Sequence, residues 1–234
     1  MRYIIGGLLS LLVACQTPNL GVCEVGQLTD KALVLKADSK AASMSRNAVV
    51  KVRSEGEDGV GVGTGTVFKY KGETIIITAA HVVRGPEYKV SVADESFLVS
   101  AEIIYFDPIA DLAVIKSDVE LDRKPIPLRT LNSRQIRLGQ DVLYSGFPND
   151  SGLLTIEGYI AGAHSLGYLY IHSYAWPGAS GSSVLDKYGR VIGILVAVEV
   201  GTDVMSFPTI IEDVAIVVPI WRLDFDILDQ NIRN

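Results

Sequence analysis

Short apolar runs separated by turn residues dominate the chain from residue 48 onward. The runs are rich in β-branched residues and are broken by Gly, Asp-Gly and Pro, a pattern typical of strands and tight turns. A first set of predicted strands comprises Ala48–Arg53, Val60–Tyr70, Thr74–Thr78, Tyr88–Val92, Phe97–Tyr105 and Leu112–Lys116. A second set, after a polar stretch, comprises Asp141–Ser145, Leu154–Ala161, Tyr168–His172, Ser183–Leu185, Val191–Val198 and Val214–Val217. No helical pattern of useful length separates these runs, which predicts a β-sandwich or β-barrel rather than a parallel sheet.

The segments around these strands carry weaker patterns. From Pro219 to about Asn231, apolar residues recur at helical spacing, which predicts a C-terminal helix packed on the second set of strands. Residues 15–44 are interpreted as a tether and lead-in, with weak helical spacing over Leu28–Ala42. The connection Glu199–Asp213 is predicted to be a long loop, either a lid over a pocket or a surface connection.

The first fourteen residues have the pattern of an export signal. A positive charge at Arg2 precedes an apolar stretch, Tyr3–Val13, that is shorter than the roughly 20 residues of a membrane-spanning helix. The stretch closes on Leu12-Val13-Ala14-Cys15, which resembles the lipobox of bacterial lipoproteins. We therefore expect cleavage after residue 14, lipidation of Cys15, and export to the periplasm or cell envelope with a membrane anchor. An ordinary cleaved signal peptide and a buried N-terminal helix are the alternatives.

Composition narrows the classes of function. Of the 234 residues 48% are hydrophobic and 21% charged, which is ordinary globular usage. The net charge of −6, without a Lys/Arg stripe, argues against nucleic acid as a partner. Three scattered histidines, with Cys15 and Cys23 as the only cysteines, do not have the number or spacing of a structural zinc site, so we expect neither a metal nor a cofactor.

Two short segments suggest a general base and its orienting carboxylate. Thr78-Ala79-Ala80-His81 ends an apolar strand, where an imidazole is held by the strand and exposed to a cleft. Asp111 stands immediately before the apolar strand Leu112–Lys116, where burial of a carboxylate requires a hydrogen-bond donor such as an imidazole N–H. Asp107, beside Pro108, fits an ordinary turn aspartate better, and we choose Asp111.

The third segment, Gly178-Ala179-Ser180-Gly181-Ser182-Ser183, has the composition of a nucleophile loop. Glycine beside a reactive serine permits unusual backbone dihedrals, so that main-chain N–H groups can point at a developing oxyanion. A plain flexible turn has the same composition.

In this order, the three segments resemble the chymotrypsin-like serine proteases, especially the bacterial HtrA-type branch, here without a PDZ domain. The resemblance extends over about Ala48 to Pro219 and includes Gly63–Phe68 ahead of the histidine. It implies an all-β fold of two packed six-stranded antiparallel β-barrels with a C-terminal helix. The peptidase domain would occupy 45–234, with barrels at about 45–120 and 135–218 and the helix at 219–231.

The resemblance also implies roles for individual residues. Ser180 would be the nucleophile, His81 the general base and Asp111 its orienting partner, with the N–H groups of Gly178 and Ser180 as the oxyanion hole. Tyr174 would lie near the base of the primary specificity pocket, with Val196, Ala197 and Val198 along its wall. Because no carboxylate falls at the pocket base and valine stands at 198, we expect cleavage of protein or peptide substrates after small or medium aliphatic residues.

Departures from the family pattern surround the serine. Ala179 replaces an acidic or amide residue, which excludes activation by pairing of a new N-terminal amine with an aspartate there. Ser182 replaces a glycine and Ser183 follows it, so the predicted activity depends on whether the loop keeps the family's backbone conformation. A catalytically inactive barrel that binds peptides is the leading alternative, and a structural envelope component is another.

Overall fold

The structure, a computed structural model, describes residues 36–94, 97–150, 152–202 and 208–233. The chain divides into Met1–Ala37 and Asp38–Asn234, and every element given below lies in the second unit. The predicted signal segment 1–14, Cys15, Cys23 and most of the predicted tether lie outside the described residues.

Six strands close the first barrel. They are β1 (Val49–Gly56), β2 (Gly59–Tyr70), β3 (Glu73–Thr78), β4 (Lys89–Asp94), β5 (Phe97–Asp107) and β6 (Leu112–Ser117). Their order is β1-β4-β5-β6-β3-β2, antiparallel throughout, and the pairing of β1 with β2 closes the sheet. A two-residue strand that was not predicted, β7 (Ile126–Pro127), joins β2 in parallel from the polar stretch between the barrels.

Six further strands close the second barrel. They are β8 (Asp141–Gly146), β9 (Leu154–Ala163), β10 (Leu169–His172), β11 (Ser183–Asp186), β12 (Val191–Thr202) and β13 (Pro208–Pro219). The order around the barrel is β10-β13-β12-β11-β8-β9. The two closed barrels and the C-terminal helix described below confirm the predicted fold class.

The long loop predicted at Glu199–Asp213 is wrong over most of its length. Strand β12 continues to Thr202 and pairs in antiparallel register with β13, which starts at Pro208. The register shifts between Val198 and Glu199, a bulge that lets the two strands continue past the barrel wall. The connection is therefore a hairpin that extends the second barrel.

Helices flank the barrels. They are α1 (Lys40–Ala48), α2 (Ala80–Val83) and α3 (Phe225–Arg233), with 3₁₀ turns at Ser133–Gln135, Pro148–Asp150 and Ile220–Arg222. Helix α1 crosses the predicted end of the lead-in at residue 44. Its N-cap is Ser39, whose hydroxyl accepts from Ala42 N at 3.1 Å, and its buried face is mostly alanine. So small a buried face explains why the hydrophobic pattern was weak.

The C-terminal helix starts later than predicted. A 3₁₀ turn follows Pro219, and α3 begins only at Phe225. The Asp224 carboxylate accepts from the N–H groups of Asp226 and Ile227, both at 3.0 Å, so it caps the helix and interrupts the predicted continuous segment 219–231.

The apolar core forms two clusters. The larger fills the first barrel around Phe68 and Ile75–Ile77, and it continues into residues of the second barrel such as Leu185 and Ile194. The smaller lies in the second barrel around Tyr144 and Ile171. We call the region where the two barrels pack against each other, around Thr64 and Ser180–Gly181, the seam. Because one apolar cluster crosses it, the barrels are held as one unit and the segments that meet there are fixed relative to one another. None of the helices in the described ranges is both long enough and apolar enough to cross a bilayer.

Candidate active site

His81 and Asp111 meet at one end of the first barrel. Strand β3 ends at Thr78, and the short helix α2 then carries His81. Strand β6, which pairs with β3, begins directly after Asp111. The Asp111 carboxylate accepts from His81 twice, from the backbone N at 2.9 Å and from Nδ1 at 2.8 Å. Because a carboxylate can only accept, Nδ1 carries a proton and Nε2 is left to accept one.

The backbone at Asp111 supports this contact. Its φ is +55°, a left-handed conformation that aspartate adopts more readily than most residues. Asp107 is used differently: its Oδ1 accepts from the N–H groups of Ile109 and Ala110, both at 2.9 Å, and so closes the turn ahead of Asp111. The structure thus places Asp111, not Asp107, against the imidazole.

A tight turn precedes the serine. The N–H of Ala179 donates to the carbonyl of Trp176 at 3.0 Å, and Gly178 has φ +92°. Proline at the second position and a positive-φ glycine at the third are what a type II turn requires. A Cβ on Gly178 would lie 2.5 Å from the carbonyl oxygen of Phe147, so glycine is also required for space.

Immediately after Ser180, the main chain packs closely against β2 of the first barrel. Gly181 has φ +91°, and a Cβ there would lie 1.9 Å from the carbonyl oxygen of Thr64. The N–H of Thr64 donates to Ser180 O at 2.8 Å, and Gly181 N donates to Leu195 O at 2.7 Å. Both barrels therefore hold the backbone at Ser180.

The serine hydroxyl has a protein hydrogen-bond partner, whereas the N–H groups of Gly178 and Ser180 have none among the described residues. Ser180 Oγ donates to the carbonyl of Val196 at 3.3 Å, and no hydrogen bond joins it to His81 in the described part of the chain. Across the described residues, the N–H groups of Gly178 and Ser180 donate to no protein acceptor, although both neighbouring carbonyls are bonded to Thr64. Two unbonded N–H groups in the loop that carries the serine could stabilise a tetrahedral oxyanion.

Ala179 and Ser182, two of the departures noted in the sequence, are both buried. Ala179 is fully buried in the apolar cluster of the second barrel. Ser182 is also fully buried, and a Cβ on Gly146 would lie 2.3 Å from its Oγ, so the glycine at 146 provides the space that serine occupies at 182. Ser182 N and O keep their main-chain bonds to Ala179 O and Leu195 N.

The residues predicted to form the specificity pocket differ in their exposure to solvent. Val196 is buried on β12 beside the serine hydroxyl, whereas Ala197 is exposed. Val198 pairs with Ala215 in the strand register. Tyr174 is 52% exposed and its ring stacks on Trp176, with centroids 5.7 Å apart. Its carbonyl accepts from the hydroxyl of Tyr144, whose pKa is raised by burial.

One residue that sequence reasoning missed is Thr64. It lies within Gly63–Phe68, which was matched to the family ahead of the histidine, but no role followed from the motif. Its contacts with Gly178 and Ser180 are long-range, and pattern alone does not reveal them. No group of three or more His, Cys, Asp or Glu side chains suited to a metal ion is found among the described residues.

Comparison with known proteins identifies the family and the fold of the chain. The model of the trypsin-like peptidase domain family matches residues 63–194, which contain His81, Asp111 and Ser180. This chain belongs to the trypsin-like peptidase family. A serine protease HtrA-like of Staphylococcus epidermidis is 30% identical over 152 residues, covering 57% of this chain and 26% of the relative. Its Staphylococcus aureus counterpart is 28% identical over 155 residues, covering 58% and 20%.

Solved structures show the same trypsin-like fold. A protease of M. tuberculosis in its active form has a TM-score of 0.63 at 21% identity, over 79% of this chain and 81% of that one. A serine endoprotease from Yersinia pestis has a TM-score of 0.65 at 23% identity, over 86% and 68%. The resemblance inferred from the motifs is confirmed at the level of family and fold. The chain spans only 26% and 20% of the length of the two curated relatives named above.

The hydroxyl of Ser182 generates a stability prediction. It is buried and, within the described residues, has no hydrogen-bond partner. Because an unsatisfied buried hydroxyl is unfavourable, Ser182→Ala should raise the free energy of unfolding by about 1 kcal/mol, as measured by urea denaturation. Ser145→Ala is the matched control: its buried hydroxyl bonds to Thr155 Oγ1 at 2.9 Å, and its loss should lower the free energy of unfolding by about 1 kcal/mol. Equal destabilisation by both variants would contradict this account.

Proposed function

We propose that this chain is a serine endopeptidase that cleaves peptide bonds with Ser180 as nucleophile, His81 as general base and Asp111 as the group that orients the imidazole. The observation that carries the proposal is the pair of hydrogen bonds from His81 to one carboxylate, at 2.9 and 2.8 Å. They fix both the backbone and the ring of His81, with Nε2 as the available acceptor.

The position of Gly63 supports a common site for His81 and Ser180. A Cβ at Gly63 would lie 2.5 Å from the side chain of Val82, the residue after His81, and 2.9 Å from the carbonyl oxygen of Ser180. Glycine at 63 therefore permits the helix that carries the base and the loop that carries the serine to approach each other. Rotation of the Ser180 side chain about χ1 would redirect its hydroxyl from Val196 O toward the imidazole.

The proposed reaction follows from these groups. Ser180 Oγ attacks the scissile carbonyl carbon while His81 Nε2 takes the hydroxyl proton, and Asp111 stabilises the imidazolium. The oxyanion accepts from the N–H groups of Gly178 and Ser180. The C–N bond of the substrate then breaks as His81 gives the proton to the departing amine. An acyl-enzyme at Ser180 remains. Water attacks the ester carbon while His81 Nε2 takes a proton from it, the bond to Ser180 Oγ then breaks, His81 returns the proton to Oγ, and the carboxylic acid product leaves.

For substrate preference, we propose small or medium aliphatic side chains on the acyl side of the cleaved bond. Buried Val196, whose carbonyl lies 3.3 Å from the serine hydroxyl, supports an apolar wall there. Tyr174 at the pocket base and Val198 along its wall rest on the family resemblance. Predominant cleavage after Arg or Lys in a peptide library would contradict this preference.

One observation favours the alternative, a peptide-binding barrel without turnover: the Ser180 hydroxyl bonds to a carbonyl and not to His81. The neutral hydrogen bond is worth only about 1 kcal/mol, however, so rotation toward the base has a low cost. Export and a lipid anchor at Cys15 would place the protease at a membrane; these stay predictions from the sequence.

A fluorophosphonate probe tests the enzyme directly. It should label the wild-type protein covalently at Ser180, because only an activated serine displaces fluoride from phosphorus. Ser180→Ala should abolish labelling, whereas Ser182→Ala, which removes a hydroxyl two residues away, should retain it. A wild-type protein that is folded and remains unlabelled would support the binding module instead.

The two candidate aspartates can be separated by matched substitutions. Asp111→Asn should lower kcat by about 10⁴-fold, the effect of this change in serine-protease triads, because the amide favours the wrong imidazole tautomer. Asp107→Asn keeps an oxygen that can accept from Ile109 N and Ala110 N, so kcat should stay within about threefold of wild type. The measurement is steady-state hydrolysis of a peptide substrate. The reverse ranking would reassign the orienting role to Asp107.

A further inference from the structure

Thr64, on β2, bonds to four residues that lie in three separate segments of the site. It is completely buried at the seam between the barrels. Its Oγ1 donates to Gly178 O at 2.8 Å and accepts from Phe147 N at 3.1 Å. Its N–H donates to Ser180 O at 2.8 Å, and its carbonyl accepts from Thr78 Oγ1 at 2.7 Å, at the end of the strand that leads to His81.

The direction of the threonine O–H is fixed by its partners. The N–H of Phe147 can only donate, so it occupies an acceptor position on Oγ1. The carbonyl of Gly178 can only accept, so the hydroxyl proton points at it. The side chain of Thr64 is thereby a fixed link from the segment after β8 to the turn before Ser180.

This link is one of three hydrogen bonds that hold the peptides on either side of Gly178. The peptide before Gly178 is held because Asn149 N donates to Pro177 O at 2.6 Å. The peptide after it is held by Thr64 Oγ1 on Gly178 O and by the bond from Ala179 N to Trp176 O. Glycine populates positive and negative φ about equally, so the hydrogen bonds on the flanking peptides, not the residue itself, select the φ of +92°.

We propose that Thr64 is a positioning residue that aims the N–H groups of Gly178 and Ser180 at the oxyanion. Its hydroxyl holds one residue and its backbone N–H holds the other. This inference rests on the proposed peptidase function. The role acts in the transition state, because the two amides gain their strongest partner only when negative charge develops on the substrate oxygen.

Thr66 provides a matched control within the same strand. It is two residues along on the same face of β2, is equally buried, and its Oγ1 accepts from Ser183 N at 3.2 Å. Its hydroxyl therefore also joins the first barrel to the chain after Ser180, but it bonds to neither Gly178 nor Ser180. Loss of the Thr66 hydroxyl removes one hydrogen bond between the barrels and loss of the Thr64 hydroxyl removes two, but only the loss at Thr64 frees a residue that carries an oxyanion donor.

The experiment compares three variants, Thr64→Val, Thr64→Ser and Thr66→Val, with the wild type. For each protein we measure the melting temperature and the kcat and KM for a peptide substrate. We also measure the inhibition constant Ki of a peptide aldehyde, which forms a tetrahedral adduct with the serine. Thr64→Val should lower kcat by roughly 10–100-fold and raise Ki by a similar factor, with little change in KM. Thr64→Ser restores the hydroxyl and should return kcat to within about threefold of wild type. Thr66→Val should also lower the melting temperature, by less than Thr64→Val because it removes one hydrogen bond instead of two, and should keep nearly wild-type kcat.

The outcomes separate this inference from the proposed function. Wild-type protein without turnover or probe labelling overturns the peptidase proposal itself. An active wild type with equal kcat in Thr64→Val and Thr66→Val overturns only the role of Thr64, as does failure of Thr64→Ser to restore kcat. If Thr64→Val does not fold, Thr64→Cys replaces it, since the thiol is close in size and a much weaker donor.

Discussion

The structure depends on one close contact between the barrels, where the backbone of β2 meets the chain at Ser180–Gly181. A Cβ on Gly181 would lie 1.9 Å from Thr64 O, so the two segments approach as near as main chains can. This approach allows Thr64 N to bond to Ser180 O and Leu195 N to bond to Ser182 O in one continuous arrangement. The serine loop thereby takes its shape from both barrels at once, which a flexible Gly-Ser turn could not provide by itself.

The same seam organises the other half of the site. Thr78, the last residue of β3, donates to Thr64 O, and His81 follows on α2. Strand β6 pairs with β3 and starts directly after Asp111, so the sheet register itself brings the carboxylate to the imidazole. The proposed base and its carboxylate partner therefore belong to one barrel and the proposed nucleophile to the other. A change in the packing of the barrels would alter the relation of Ser180 to His81 while leaving the His81–Asp111 pair intact.

Sequence reasoning predicted the local features well because local chemistry determines them. Alternating apolar runs identified the strands, and small residues around Ser180 identified the loop. It preferred Asp111 because Asp107, beside Pro108, fits an ordinary turn aspartate and because the family pattern supports Asp111; no local feature shows which carboxylate contacts His81. What it missed depends on contacts distant in sequence: the accommodation of Ser182 by Gly146, the contacts of Thr64, and the extension of β12 and β13. Helix α1 was missed because alanine gives little hydrophobic contrast.

The central claim is that Ser180 is an activated nucleophile beside two oriented amide donors. It is tested most directly by a crystal structure of the protein with a peptide boronic acid. We expect a covalent bond from boron to Ser180 Oγ, with one boronate oxygen at about 2.7–3.1 Å from the N atoms of Gly178 and Ser180. The serine hydroxyl would then have left the carbonyl of Val196. A structure in which the inhibitor stays uncombined, with Ser180 still bonded to Val196 O, would contradict the account.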